Sequence, residues 1–144
     1  MIEVCTFKVP GIIFYYIKGT KIPHREDGPA VICEDGGKFW YRHGKLHRED
    51  GPAKERSDGS KEWYLSGWPH REDGPAIDHF NGGKEWFVNG ERHRVDGPAL
   101  IYEDGTKEWW LNHKRYKKEE WFELLTEEQK VKALYSEYFI GSLI

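Results

Sequence analysis

Four histidines, His24, His47, His70 and His93, recur at a constant step of 23 residues, each followed three positions later by an aspartate, Asp27, Asp50, Asp73 and Asp96. Imidazole and carboxylate are common metal ligands and acid–base groups, so the column first suggests a metal centre or a hydrolytic site. Geometry opposes both. Successive β-hairpin units are offset by two strand spacings, about 10 Å, whereas a zinc ligand sits within about 2.2 Å of the ion. Any site would have to form from one His and one Asp of a single copy. A catalytic centre is also one convergent arrangement, not four copies. Ser57, Ser60 and Ser66 fall at turns or strand edges, and no glycine-rich phosphate loop is present. No catalytic residue, metal or cofactor is expected. The His, Arg and Asp of each copy should instead satisfy backbone groups at a chain corner.

A second column combines rings with cations. It reads Lys38-Phe39-Trp40-Tyr41, Lys61-Glu62-Trp63-Tyr64, Lys84-Glu85-Trp86-Phe87 and Lys107-Glu108-Trp109-Trp110. Residues two apart on a strand share a face, which puts Trp40, Trp63, Trp86 and Trp109 beside Lys38, Lys61, Lys84 and Lys107. Such a stripe suits a nucleotide or small anionic ligand, a single strand of nucleic acid, or anionic lipid. Glu62, Glu85 and Glu108 stand next door on the other face, and a net charge of −3 gives no positive field. The plainer reading is that Lys stems lie over Trp rings.

The elements that position these columns follow from the turns. His-Arg-Glu-Asp-Gly-Pro-Ala begins at His24, His47 and His70, and His93 opens the variant His-Arg-Val-Asp-Gly-Pro-Ala. Between each corner and its aromatic string sits Asp35-Gly36, Asp58-Gly59, Asn81-Gly82 or Asp104-Gly105. Two-residue type I′ turns favour these dipeptides because both positions need positive φ. That turn would pair Ala30 with Tyr41, Val31 with Trp40, Ile32 with Phe39 and Cys33 with Lys38. The same register sets Ala53 against Tyr64, Ala76 against Phe87 and Ala99 against Trp110, small against large. On the other face Trp63 would meet Lys54, Trp86 Ile77 and Trp109 Leu100. The corner glycine is expected at an unusual φ, and the proline ends pairing. A further glycine recurs between hairpins at Gly44, Gly67 and Gly90.

The predicted fold is mainly β: an elongated antiparallel sheet of stacked 23-residue hairpin repeats over residues 1–116. An N-terminal half-repeat covers 1–23, where Tyr15-Tyr16 stands in for the aromatic pair, and repeats start at His24, His47, His70 and His93. After Trp110 the pattern decays, since Asn112-His113-Lys114-Arg115-Tyr116 lacks both the turn glycine and the corner histidine. Residues 117–144 read as a helical C-terminal cap. A short helix is predicted over Glu119–Leu125. Thr126-Glu127-Glu128-Gln129 is a capping box that opens a second helix to about Tyr138. Trp121, Phe122, Leu125, Val131, Leu134, Tyr135 and Phe139 would form its apolar face and cover one end of the sheet.

Composition is consistent with this. Charged residues at 33 % and a mean hydropathy of −0.83 resemble disorder. An aromatic content of 15 % with seven Trp argues instead for a thin β structure whose few core positions hold large rings. At 144 residues one domain is expected. Cys5 and Cys33 form no disulfide framework, which fits a reducing cytoplasm. Residues 1–10 lack a basic start followed by an apolar core, and Gly11–Ile17 is too short to span a bilayer.

The 23-residue period, paired aromatics and glycine-terminated hairpins over about residues 11–116 resemble a variant of MORN-type repeats. The corner motif is similar to His-Arg-x-Asp-Gly-Pro-Ala repeats of bacteriophage and bacterial proteins. The resemblance implies an interaction module, in some members membrane-associated. It also implies, by analogy with small phage proteins, an inhibitor or adaptor directed at a host protein, including host defence.

Identical positions then belong to the framework, and positions that break the pattern are free to specify a partner. Trp68 replaces Lys45 and Glu91, and a lone Trp suits an interface anchor. Arg56, His79 and Tyr102 form one variable column with Cys33, placed by the register above on the Trp face. Lys54, Glu55, Phe80 and His43 also depart from their counterparts. The expected partner is a protein. A nucleotide or nucleic acid is the alternative, a membrane ranks below both, and open sheet ends with exposed rings allow a homodimer.

Overall fold

The computed structural model describes residues 1–141, with side chains described through Ser136. It is mainly β, with one large antiparallel sheet and two helices. Eleven strands make the sheet: β1 (Val4–Val9), β2 (Ile12–Ile17), β3 (Val31–Cys33), β4 (Lys38–Phe39), β5 (Lys54–Glu55), β6 (Lys61–Glu62), β7 (Ile77–Asp78), β8 (Lys84–Glu85), β9 (Leu100–Ile101), β10 (Lys107–Leu111) and β11 (Lys114–Tyr116). Their spatial order is their chain order. Three two-stranded ribbons accompany them, pairing Tyr41–Arg42 with Lys45–Leu46, Tyr64–Leu65 with Trp68–Pro69, and Phe87–Val88 with Glu91–Arg92.

The hairpins form where Asp-Gly and Asn-Gly occur, but the register is shifted by one residue from the predicted one. Val31 faces Phe39 and Ile32 faces Lys38. The loop has three residues: the Gly36 N–H donates to the Cys33 carbonyl at 3.0 Å, and Gly36 takes φ 98°. The aspartate explains the choice. Its Oδ1 accepts the Gly37 N–H at 2.9 Å, and Asp58, Asn81 and Asp104 do the same for Ser60, Gly83 and Thr106. That bond stabilises the turn-plus-left-handed-glycine loop over the two-residue turn. The two-residue turns with positive φ at both positions occur instead at His43-Gly44, Ser66-Gly67 and Asn89-Gly90. Asn112-His113 adopts the same conformation without a glycine, at φ 47° and 65°.

A one-residue slip moves every side chain to the opposite face. Lys54 therefore faces Glu62, Ile77 faces Glu85 and Leu100 faces Glu108, not the tryptophans. One residue beyond each short strand, the ladder sets every alanine against a Trp rather than the following aromatic. Ala53, Ala76 and Ala99 also accept the backbone N–H of the preceding Trp40, Trp63 and Trp86 at 2.7–2.8 Å. The row reads Tyr15, Ala30, Trp40, Ala53, Trp63, Ala76, Trp86, Ala99, Trp109. All four alanines are fully buried. Methyl and indole alternate because two large rings on adjacent strands would overfill the row.

The helical unit packs against the last two strands of the sheet. Helix α1 (Lys118–Glu123) and helix α2 (Glu127–Gly141) follow β11. The predicted capping box is present at α2: the Gln129 N–H donates to Thr126 Oγ1 at 3.2 Å, and the Thr126 N–H donates to Gln129 Oε1 at 2.9 Å. Trp121, Leu125 and Ala133 form a core against Val95, Trp109, Leu111, Tyr116 and Phe122. The predicted apolar face is only half used. Ala133 supplies the buried position, and Val131, Leu134 and Tyr135 are exposed. The Phe139 side chain lies outside the described residues.

Candidate functional site

The corner residues bind each other and their neighbours. Each corner arginine donates Nε to the aspartate two residues on, at 2.7–2.9 Å, and Nη1 to the following proline carbonyl at 3.0–3.3 Å. Its guanidinium lies over the aromatic ring of the preceding copy: Arg25 over Tyr15, Arg48 over Trp40, Arg71 over Trp63 and Arg94 over Trp86, with Cζ 3.8–4.0 Å from the ring centroid. Asp27, Asp50 and Asp73 are held below the usual carboxylate range by these arginine hydrogen bonds.

This packing assigns the corner glycine a role other than the predicted unusual φ. Gly28, Gly51, Gly74 and Gly97 do not occupy the left-handed region. A Cβ at these positions would meet the arginine Cζ at 3.1, 2.9, 2.9 and 2.8 Å. Glycine leaves room for the guanidinium, which packs against the backbone there.

The histidines complete the turns. His24, His47, His70 and His93 accept through Nδ1 the N–H of His43, Ser66, Asn89 and Asn112 at 2.9–3.0 Å. Each donor is the first positive-φ residue of a two-residue turn. Accepting at Nδ1 requires the neutral imidazole with its proton on Nε2. Burial pushes the His93 pKa down, against a smaller upward pull from Glu91. His43 contributes its backbone N–H and a ring 4.5 Å from that of His24.

On the Trp/Lys stripe, the rings meet arginines rather than the predicted lysine stems. The cation on three of the four Trp rings is arginine, and Trp109 is covered by Lys118 at 5.7 Å and by Trp121. Lys84 bonds Asp78 at 2.8 Å, while Lys38, Lys61 and Lys107 are exposed two residues along from the rings. The stacking arginines were legible in one respect: they recur at the same 23-residue step as the rings.

The variable column lies on the glutamate face, not the predicted Trp face, as the register shift requires. Arg56 bonds Glu62 at 2.8 Å, His79 bonds Glu85 at 3.1 Å and the Tyr102 hydroxyl donates to Glu108 at 3.1 Å. Lys54 pairs with Glu62 at 3.2 Å, and Glu55 with Arg48 at 3.2 Å. Burial raises the Glu62 pKa, but Arg56, Lys54 and Tyr64 outweigh it and hold the carboxyl low. The Tyr64 hydroxyl is pushed up to about 12 by burial and Glu62. In the first copy, Phe39 and Cys33 replace this pair, and burial raises the Cys33 thiol.

Two aromatic exceptions remain outside these networks. Phe80 stands in a three-residue loop with 68 % of its surface exposed, and its backbone N–H donates to Ser60 Oγ at 3.0 Å. Trp68 is 63 % exposed and lies over Gly90, where a Cβ would come within 2.6 Å of the indole. It sits at the start of a ribbon strand, braced on the neighbouring turn.

No protein-family model and no curated protein matches the chain.

Among the described residues, no group of three His, Cys, Asp or Glu is placed to hold a metal ion. No described helix is long and apolar enough to cross a membrane.

Proposed function

We propose that the chain is an elongated array of stacked 23-residue hairpin repeats, of a MORN-like kind. We read it as a non-enzymatic protein-binding module, phage-encoded, that inhibits or redirects a host protein in the host cytoplasm. The observation that carries this reading is a division of labour. The His, Arg, Asp, Gly, Ala and Trp of every copy take part in one another's packing and hydrogen bonds, whereas Trp68 and Phe80 present large rings to solvent. Exposed, braced aromatics at non-repeating positions are the side chains that dominate protein interfaces. Arg56, His79, Tyr102, Lys54 and His43 are tied into the framework and would shape the surroundings rather than anchor a partner.

The alternative, a nucleotide or nucleic acid gripped by the Trp/Lys stripe, has less support because guanidinium groups already occupy the rings. Affinity capture with the full chain separates the readings. A host protein should be retained by the wild type and lost with Trp68→Ala while the thermal midpoint stays unchanged. Identical retention by wild type, Trp68→Ala and Phe80→Ala would contradict the proposal.

A further inference from the structure

The two edges of the large sheet are treated differently. At one, Tyr116 of β11 packs into the core around Trp121. At the other, β1 has β2 on one side and no strand on its outer side among the described residues. β1 is the longest run in the sheet alongside β2, with Val4, Phe7 and Val9 exposed and one charge, Lys8, inside it. Long, flat, apolar edges template further pairing unless something covers them.

The ladder shows which groups are open. Tyr15 and Ile17 donate their N–H away from β1, to Ala30 and Ile22, and the Lys18 N–H donates to the Glu3 carbonyl at 2.9 Å. Antiparallel ladders alternate, so Glu3, Cys5, Phe7 and Val9 direct their backbone groups toward β2. Val4, Thr6 and Lys8 direct theirs outward.

We infer that β1 pairs with β1 of a second copy about a two-fold axis at Thr6. This register sets Val4 against Lys8 of the second copy, Thr6 against Thr6, and Lys8 against Val4, so all six outward N–H and C=O groups find partners. The other in-phase registers leave at least one open residue unpaired. The two like charges are placed at opposite ends of the paired strands and do not face each other. The side-chain row Phe7, Phe14, Val31, Phe39 then runs across the axis onto Cys5 and Tyr16 of the second copy. It joins the apolar groove of about 730 Å³ that Phe7, Phe14, Tyr16, Val31 and Tyr41 line in each chain. The first copy carries Phe39 where the others carry Glu62, Glu85 and Glu108, so the sheet face is apolar at the end that meets the axis. The contact is isologous and closes at two chains.

Sedimentation of the full chain across a concentration series tests this. The wild type should pass from monomer to dimer with no larger species. Thr6→Pro removes an outward N–H without touching the β1–β2 bonds, so it should weaken dimerisation about tenfold or more with an unchanged circular dichroism spectrum. If Thr6→Pro perturbs the spectrum, Thr6→Cys in a Cys5→Ser background replaces it. Opposed Thr6 positions are about 5.5 Å apart at Cα, within disulfide reach, so mild oxidant should yield a covalent dimer. A wild type that stays monomeric at its highest soluble concentration would overturn the inference and leave the edge to a strand of a different protein. So would an open-ended series, unaltered dimerisation of a folded Thr6→Pro, or no covalent dimer from Thr6→Cys.

Discussion

The Arg71 guanidinium carbon lies 3.8 Å from the centre of the Trp63 ring, although the two belong to different sequence copies. The same side chain binds Asp73 and the Pro75 carbonyl. One residue thus ties the corner of its own copy to the ring of the copy before it. Arg71→Ala should lower stability by about 2–5 kcal/mol, from about 0.5–2 for the cation–π contact and about 1.5–3 for the charged hydrogen bond to the Pro75 carbonyl; the exposed Asp73 pair adds little. Arg71→Lys should recover little of it, because an ammonium cannot stack and fork at once. Urea unfolding measures both.

The glycine beneath that guanidinium should be coupled to it. Gly74→Ala places a methyl 2.9 Å from the Arg71 Cζ, and displacing the arginine should cost about 1–3 kcal/mol. In an Arg71→Ala background the same change should cost much less. A double-mutant cycle reads the difference directly. Additivity would show that the glycine serves its own backbone and not the stack.

Acid should act in two stages. Burial holds His93 below its ordinary pKa, so the unfolded chain binds the extra proton first as pH falls. Stability is complete above the ordinary histidine range, declines as pH drops through it, and levels off below the lowered native value. The Asp27, Asp50 and Asp73 carboxylates are also depressed in the native state. Their contribution is present above the ordinary carboxylate range and is lost as pH falls through the depressed values. Denaturant midpoints at a series of pH values should show both declines, and His93→Gln should remove the first. Nitrogen NMR near neutral pH should find the proton of all four corner histidines on Nε2.

The cap should tolerate change unevenly. Trp121 is 1 % exposed and donates its Nε1–H to the Arg94 carbonyl at 3.0 Å. Trp121→Ala should therefore cost about 3–5 kcal/mol. Val131→Ala, at an exposed position of the same unit, should stay within about 0.5 kcal/mol. Thermal unfolding of the two variants checks the contrast.

The existence of hairpins, the second C-terminal helix and its capping box could be read from Asp-Gly, Asn-Gly and Thr126-Glu127-Glu128-Gln129. The register could not, because it turns on whether the Asp35 side chain caps the Gly37 N–H, a tertiary choice between two loops that the same dipeptide serves. The same one-residue shift, made in their own loops by Asp58, Asn81 and Asp104, places Arg56, His79 and Tyr102 on the glutamate face. Arg71 over Trp63 was hidden because the two are eight positions apart and meet only across a corner. Helix periodicity shows an apolar stripe but not which side of it faces the sheet, so it points to Val131 and Leu134 where the structure buries Ala133. Trp68 and Phe80 were legible as exceptions, and the structure leaves both rings in solvent.

On the proposed function, the repeated residues build a framework and the non-repeating aromatics meet a protein. A photoreactive phenylalanine analogue at position 68, compared with the same analogue at position 61 on the Trp/Lys stripe, tests it in host-cell lysate. Cross-linking to one host protein from position 68 and not from position 61 is the expected result. Cross-linking from position 61 alone, or to nucleic acid, would contradict it.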